Sequence, residues 1–299
     1  MKLRIKHAPI KAKSALMARV MEHTEAVFNR LDAYSYLSAN DRFDFSYYRS
    51  FYLQSLLDID ARIGRGELKP VDLSDFPQVV RFPSYEIHAA LFIGSFDPFQ
   101  MTHLATALRY LASSGASAPI VFIIPEGHDN PRKPRKCDYR YRFELLSEQV
   151  AGVFDPLIVP LDIGEGADTI EIVRRFIAMF PGARISMTHL LGSDVLPFAA
   201  ALLPLDLAAW REEARMSGVD FSYRAFVVTR EGAPPSAPHV KIIKSLDLPV
   251  YLDGKPIGAP SSSDFRENHA FSIVFPTESV IRHVEVLFRY RLNKPWNIG

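Results

Sequence analysis

The sequence contains one cysteine, Cys137, among its 299 residues. A single thiol cannot form an internal disulfide or a zinc site made of several thiolates, so nothing in the chain requires an oxidising compartment. The histidines show no H-x-x-x-H or comparable spacing of metal ligands, and no metal site is predicted. A cytoplasmic location is the simplest expectation.

The chain also lacks an excess of charge of one sign and any long apolar run. Its 35 basic and 34 acidic residues leave a net charge of +1, so neither nucleic acid nor an anionic membrane is expected as the main partner. No run of about 18 apolar residues occurs, which argues against a membrane span. Basic residues interrupt the apolar stretches of 1–20, so this segment lacks the apolar core of a signal peptide.

Two helical patterns occupy the N-terminal part. Apolar residues recur at helical spacing over 14–31 and 51–63, whereas glycines and prolines over 64–84 indicate an extended connector. We therefore predict an N-terminal helical extension with its connector over 1–84, and a second domain over 85–299. Two short helices bury too little surface to be stable alone, so we expect them to pack on the sheet domain or on a second subunit. Three roles stay open: homo-oligomerisation, a lid, or a docking site for another protein.

From about residue 87 onward, short apolar runs alternate with helical patterns. The predicted strands are 88–93, 120–124, 157–160, 184–191 and 224–229, and the predicted helices are 102–113, 139–150, 169–180 and 205–216. This alternation predicts an α/β fold with a doubly wound, mainly parallel, Rossmann-like sheet covered by helices on both faces. The dipeptide Asp253-Gly254 suits a tight turn, so we also expect a small antiparallel hairpin within 250–257.

The segment GSFDPFQMTH, residues 94–103, follows the first strand of this domain. In an open parallel sheet, ligands bind outside the carboxyl ends of the strands, so a nucleotide is expected at this loop. Gly94 allows the backbone to approach a ligand, Asp97-Pro98 stiffens a turn, and Thr102 is predicted to cap a helix that carries His103 in its first turn. The N–H groups and positive dipole end of that helix attract phosphate. The loop therefore predicts a phosphate site.

This segment resembles the signature G-x-F-D-P-x-H-x-G-H of a nucleotidyltransferase superfamily, and in particular the nicotinate and nicotinamide mononucleotide adenylyltransferases. Gln100 stands in place of the first histidine, and Thr102 in place of the second glycine. Further segments resemble the family's motifs in the same order over about 87–291: Asn130-Pro131-Arg132-Lys133, Gly192-Ser193-Asp194, Val228-Thr229-Arg230, 260–266 and 275–287.

The resemblance implies ATP-dependent adenylyl transfer to nicotinate or nicotinamide mononucleotide, with Mg²⁺ on the phosphates and a dinucleotide and pyrophosphate as products. It implies catalytic roles for His103, Gln100 and Arg266, in which His103 donates to an α-phosphate oxygen and Arg266 holds the leaving pyrophosphate. It implies nucleotide contacts from a larger set: Gly94, Ser95, Phe96, Asp97, Thr102, Lys133, Gly192, Asp194, Arg230, Ser261, Ser262 and Ser263.

Gln100 leaves alternatives open, because its amide can donate a hydrogen bond but cannot carry the positive charge of a histidine. Slower chemistry follows as a hypothesis. The alternatives are a nucleotide-binding or regulatory homologue with weakened catalysis, and a transferase of the same fold with another phosphate-ester acceptor. Trp210 is expected in the core, with a platform for the pyridine ring as its alternative role. The basic run 132–136 is expected to be a solvated loop beside the phosphate site.

Overall fold

The structure is a computed structural model that describes residues 15–31, 39–70, 86–129, 136–151 and 153–258. Two N-terminal helices precede the alternating part of the chain, and the second of them begins well before the apolar periodicity. The elements are α1 (Ala15–Leu31), α2 (Ala39–Gly64), β1 (Glu86–Gly94), α3 (Met101–Ala112), β2 (Ile120–Pro125), α4 (Tyr139–Val150), β3 (Ile158–Pro160), α5 (Thr169–Ala178), β4 (Arg184–Gly192), α6 (Leu196–Met216), β5 (Asp220–Arg230), α7 (Ala237–Ser245) and β6 (Val250–Ile257).

All six described strands form one parallel sheet in the order β3-β2-β1-β4-β5-β6. The continuous apolar strands fit this burial, since every residue of β2 is buried. The predicted α/β fold with a doubly wound, Rossmann-like parallel sheet is therefore confirmed. The strand order reverses between β1 and β4, which is the point where such sheets open a crevice outside the carboxyl ends of their strands.

The hairpin predicted at Asp253-Gly254 is wrong, because β6 is one strand that runs parallel to β5 with a register irregularity near its end. The Asp253 side chain is buried, and its carboxylate forms an ion pair with Arg109 of α3. The Asp253 carbonyl also accepts a hydrogen bond from the Thr229 hydroxyl. These partners, distant in sequence, hold the dipeptide in a strand although its local preference is for a turn.

Apolar clusters lie on both faces of the sheet. On one face, the N-terminal helices share a core with α3 and α4, in which Tyr52 and Leu56 of α2 lie with Leu104 and Leu108 of α3. On the other face, α5, α6 and α7 cover the strands around Trp210. The N-terminal helices therefore pack on the sheet domain, over the helix that follows the predicted phosphate loop. Within the described ranges, no helix is both long and apolar enough to cross a bilayer.

Candidate nucleotide-binding site

The carboxyl ends of neighbouring strands lie side by side at one edge of the sheet. Gly94 at the end of β1 is aligned with Pro125 at the end of β2, and Gly192 at the end of β4 is aligned with Val228 of β5. Strands β1 and β4 pair directly, and the strand order reverses between them. This edge brings together five residues predicted for the site: Gly94, Ser95, Gly192, Asp194 and Arg230.

The loop after β1 turns sharply and presents its backbone. Gly94 and Ser95 are partly exposed, whereas Phe96 and Asp97 are buried. Phe96 has a positive φ of 41°, and its ring lies against Gly94, where an added Cβ would be 3.3 Å from the nearest ring atoms. A side chain at Gly94 would thus crowd the turn. The accessible part of this loop is its backbone at Gly94 and Ser95.

Beneath the loop lies a buried network centred on Arg142, a residue that the sequence motifs do not include. The Arg142 guanidinium, on α4, donates to the carbonyls of Cys137 at 2.8 Å, Ser95 at 2.5 Å and Glu126 at 2.8 Å. Asp97 accepts from the Cys137 backbone N–H at 3.0 Å. Burial lowers the pKa of Arg142, while the nearby Asp97 carboxylate favours its charged form. Arg142 therefore fixes Ser95 relative to the end of β2, and Asp97 belongs to this supporting network.

Gln100 caps α3. Its backbone is extended, with φ −146° and ψ 171°, and its amide oxygen accepts the Thr102 N–H at 2.9 Å. The prediction that Thr102 is the cap is therefore wrong, because α3 begins at Met101 and Thr102 is inside its first turn. The Gln100 side chain is fully buried. A buried helix cap therefore stands where the signature that residues 94–103 resemble has its first histidine.

His103 is partly exposed and lies among three phenylalanine rings. The centroid of the His103 ring is 6.1 Å from that of Phe92, 4.9 Å from that of Phe96 and 5.5 Å from that of Phe99. The Gln100 backbone N–H donates to His103 Nδ1 at 3.2 Å. Because Nδ1 accepts this bond, the neutral ring carries its proton on Nε2, which is therefore the donor nitrogen.

The loop after β4 lies beside the loop after β1, since these two strands are neighbours in the sheet. The Ser193 hydroxyl accepts the Arg230 N–H at 2.7 Å and donates to the Ala233 carbonyl, so it links the ends of β4 and β5. A Cβ on Gly192 would be 2.4 Å from an Asp194 carboxylate oxygen. The Asp194 carboxylate therefore lies back over the Gly192 backbone. Asp194 is exposed, whereas Arg230 is buried.

Other predicted site residues lie outside the described residues: Lys133, Ser261, Ser262, Ser263 and Arg266. Nor does the described part of the chain include Arg132 or the segment 275–287. Trp210 is fully buried, and its indole N–H donates to the Ile170 carbonyl at 3.2 Å, which confirms it as a core residue. Among the described residues, no group of three or more His, Cys, Asp or Glu side chains could hold a metal ion.

No protein-family model matches the chain, and no curated protein matches its sequence. Among solved structures, the chain is similar to the Plasmodium falciparum nicotinic acid mononucleotide adenylyltransferase complexed with NaAD, with a TM-score of 0.45 and 14% identity over 70% of this chain and 98% of that chain. For the same enzyme complexed with APC, the TM-score is 0.40 and the identity 14%, over 66% of this chain and 94% of that chain.

Proposed function

We propose that this protein transfers the adenylyl group of ATP to nicotinate or nicotinamide mononucleotide and releases pyrophosphate. One observation carries the proposal: the Gly94–Ser95 backbone, the first turn of α3 and His103 lie together where the strand order reverses. That position combines a phosphate-binding helix start with a sharp glycine turn and an imidazole donor. The ordered motifs of the sequence then specify the adenylyltransferase chemistry.

In this reaction, a phosphate oxygen of the mononucleotide attacks the α-phosphorus of ATP, and the bond to the pyrophosphate leaving group breaks. The protein positions the two phosphates and stabilises the charge that develops. His103 Nε2 would donate to an α-phosphate oxygen, and the backbone at Gly94 and Ser95 would bind the phosphate beside it. We assign the adenosine to the Gly192 and Asp194 loop.

The motif residues beyond the described ranges complete the assignment: Lys133 and Arg266 for the phosphates, and Ser261, Ser262 and Ser263 at the second signature. We expect Mg²⁺ to arrive bound to ATP, where it would neutralise the leaving phosphates. The positive charge around the transferred group would then come from Mg²⁺ and these side chains.

A second candidate function is nucleotide binding with weakened catalysis, and the observation that favours it is the buried Gln100 cap. A histidine in that position could supply a charge-assisted contact, whereas the Gln100 amide oxygen is bonded to the helix. Loss of one such contact costs about 2 to 4 kcal/mol of transition-state stabilisation. An enzyme that lacks it would be slower by about 30- to 1,000-fold.

The test measures pyrophosphate released by the full chain with ATP, Mg²⁺ and each mononucleotide, together with ATP binding by calorimetry. We expect release with at least one mononucleotide, and a loss of about 100-fold or more in His103→Ala. His88→Ala is the matched control, because His88 is partly exposed near the amino end of β1, at the opposite edge of the sheet. ATP binding without release would instead support the binding homologue. Release only with another phosphate ester would support the other acceptor class.

A further inference from the structure

Two tyrosines of α2 contact the first turn of α3. The Tyr48 hydroxyl lies 2.8 Å from the Thr102 hydroxyl, and the Tyr52 hydroxyl donates to the Met101 carbonyl at 2.7 Å. All four side chains are at most 2% exposed. A buried hydroxyl that loses its partner costs free energy, so these bonds resist displacement of the turn.

The same helix also holds the far end of α3. Arg62 donates to the Leu111 carbonyl at 2.6 Å and to the Ala116 carbonyl at 3.1 Å. The Leu111 carbonyl is one of the last four in α3, which lack partners within the helix, and a cation is favourable at that end of the helix dipole. Helix α2 therefore runs in the same direction as α3 and bonds to both of its ends.

We propose that α2 is a positioning element for the phosphate-binding turn, and that Tyr48 and Tyr52 act on this turn through Thr102 and Met101. Thr102 lies between the Gln100 cap and His103, so a shift of Thr102 would move the two groups that flank it. This inference rests on the proposed function, since it assigns a purpose to the precise placement of that turn.

The proposal also accounts for both departures from the family signature. The family's glycine has no hydroxyl, whereas Thr102 supplies the hydroxyl that Tyr48 contacts. Gln100 supplies the cap from the other side of the turn. The N-terminal extension lies outside the resemblance. A residue of the loop that bonds to this extension therefore has no counterpart in the signature. Apolar packing by Leu56 and Ile59 alone would not require a hydroxyl at position 102.

The experiment compares Tyr48→Phe with Tyr110→Phe. Tyr110 is also fully buried, and its hydroxyl accepts the Ala118 N–H at 2.9 Å near the other end of α3. Each variant loses one buried hydroxyl and keeps its ring. The readouts are the ATP dissociation constant, kcat, and hydrogen–deuterium exchange of the peptide 99–108.

We expect Tyr48→Phe to weaken ATP binding or lower kcat by about 5- to 30-fold, as for the loss of a hydrogen bond worth about 1 to 2 kcal/mol. Exchange in 99–108 should accelerate by a similar factor, while Tyr110→Phe changes ATP binding and kcat by less than twofold. Thr102→Val, which removes the other hydroxyl, should match Tyr48→Phe. The double variant should lose little more than either single one, because the two share one bond.

Equal effects of Tyr48→Phe and Tyr110→Phe on thermal stability, with ATP binding, kcat and exchange in 99–108 unchanged, would overturn the proposal. Tyr52→Phe gives a second test if Tyr48→Phe does not fold. If the wild-type chain releases no pyrophosphate but Tyr48→Phe still accelerates exchange in 99–108, the proposed function fails and the positioning role stands. The exchange readout thus separates the two.

Discussion

Helices α3 and α6 begin at the same edge of the sheet, after the adjacent strands β1 and β4, yet they are held differently. The first turn of α3 has a side-chain cap and two tyrosine contacts. Among the described residues, no side chain caps α6, and large apolar residues are exposed at its start and along its outer side: Val195, Phe198, Leu202 and Leu205. The only charged residue in the first 15 of α6 is Asp206, which is buried.

The difference concerns what each kind of contact can fix. Hydrogen bonds require particular distances and angles, so the bonds around α3 define the position of its first turn. Apolar packing tolerates shifts and substitutions of similar volume, so it holds α6 on the sheet with less directional constraint. The polar network lies on the side of His103, where the proposed chemistry needs placement within fractions of an ångström.

The largest expected effect comes from Arg142→Met, which removes the guanidinium beneath the loop. Three backbone carbonyls would lose their donor in a buried site, and we expect the free energy of unfolding to fall by about 3 to 5 kcal/mol. Urea unfolding followed by circular dichroism measures this. Arg184→Met is the control, because Arg184 is exposed and pairs with the exposed Asp220. Equal effects of the two variants would refute a directional network on the α3 side.

The face of the sheet that α6 covers contains buried titratable groups, whereas the α3 face contains the Arg142 network. Burial lowers the pKa of His189 to about 4, whereas burial and the nearby Asp168 raise the pKa of Asp206 to about 6. His189 Nδ1 is 3.3 Å from the Tyr223 hydroxyl. Between pH 4 and 6, His189 is neutral and Asp206 is protonated in the folded state. In the unfolded state, His189 is positively charged and Asp206 is ionised. Each state thus binds one proton, and the two contributions to pH dependence cancel.

Asp206→Asn should remove this balance. His189 then stays neutral in the folded state but charges in the unfolded state, so stability is lost as the pH falls from about 6.5 to 4. The expected loss is about 3 kcal/mol over that window, relative to the wild-type chain. Urea unfolding at pH 6.5, 5.5 and 4.5 measures it. His189→Asn should give the opposite slope between pH 6 and 4, because Asp206 alone then favours the folded state at low pH. Parallel pH profiles of all three proteins would contradict the assignment.

Sequence patterns predict the helices and strands that are determined by residues close together in the chain. The bounds of α4 coincide with the prediction of 139–150, and an aspartate caps it. Helix α6 begins nine residues before its predicted start at 205, because it continues through Pro204 while Leu196, Ala200 and Leu203 bury their side chains against the sheet. Burial against the sheet thus outweighs the tendency of Pro204 to end a helix. In β6, the Arg109–Asp253 ion pair likewise outweighs the turn preference of Asp253-Gly254.

The same distinction applies to the site. The meeting of Gly94 and Gly192 at one edge follows from the rule for parallel strands, so it is predictable from the order of elements. Tyr48 is 54 positions from Thr102, and Arg142 acts through backbone carbonyls that any residue carries. Neither contact produces a recognisable sequence motif. A tyrosine on a predicted helix is also a common core residue, so the sequence does not indicate which group its hydroxyl contacts.

The smallest expected effect tests the cap that distinguishes α3 from α6. Gln100→Ala removes the oxygen that accepts the Thr102 N–H, and we expect the free energy of unfolding to fall by about 1 kcal/mol. Gln100→His should raise turnover sharply if the missing charge limits the reaction, because an imidazole can bear a positive charge next to the proposed phosphate site. Urea unfolding and pyrophosphate release, measured on both variants, separate these contributions. An unchanged stability in Gln100→Ala would mean that the cap contributes nothing to the placement of α3, and unchanged turnover in Gln100→His would mean that the positive charge is supplied elsewhere.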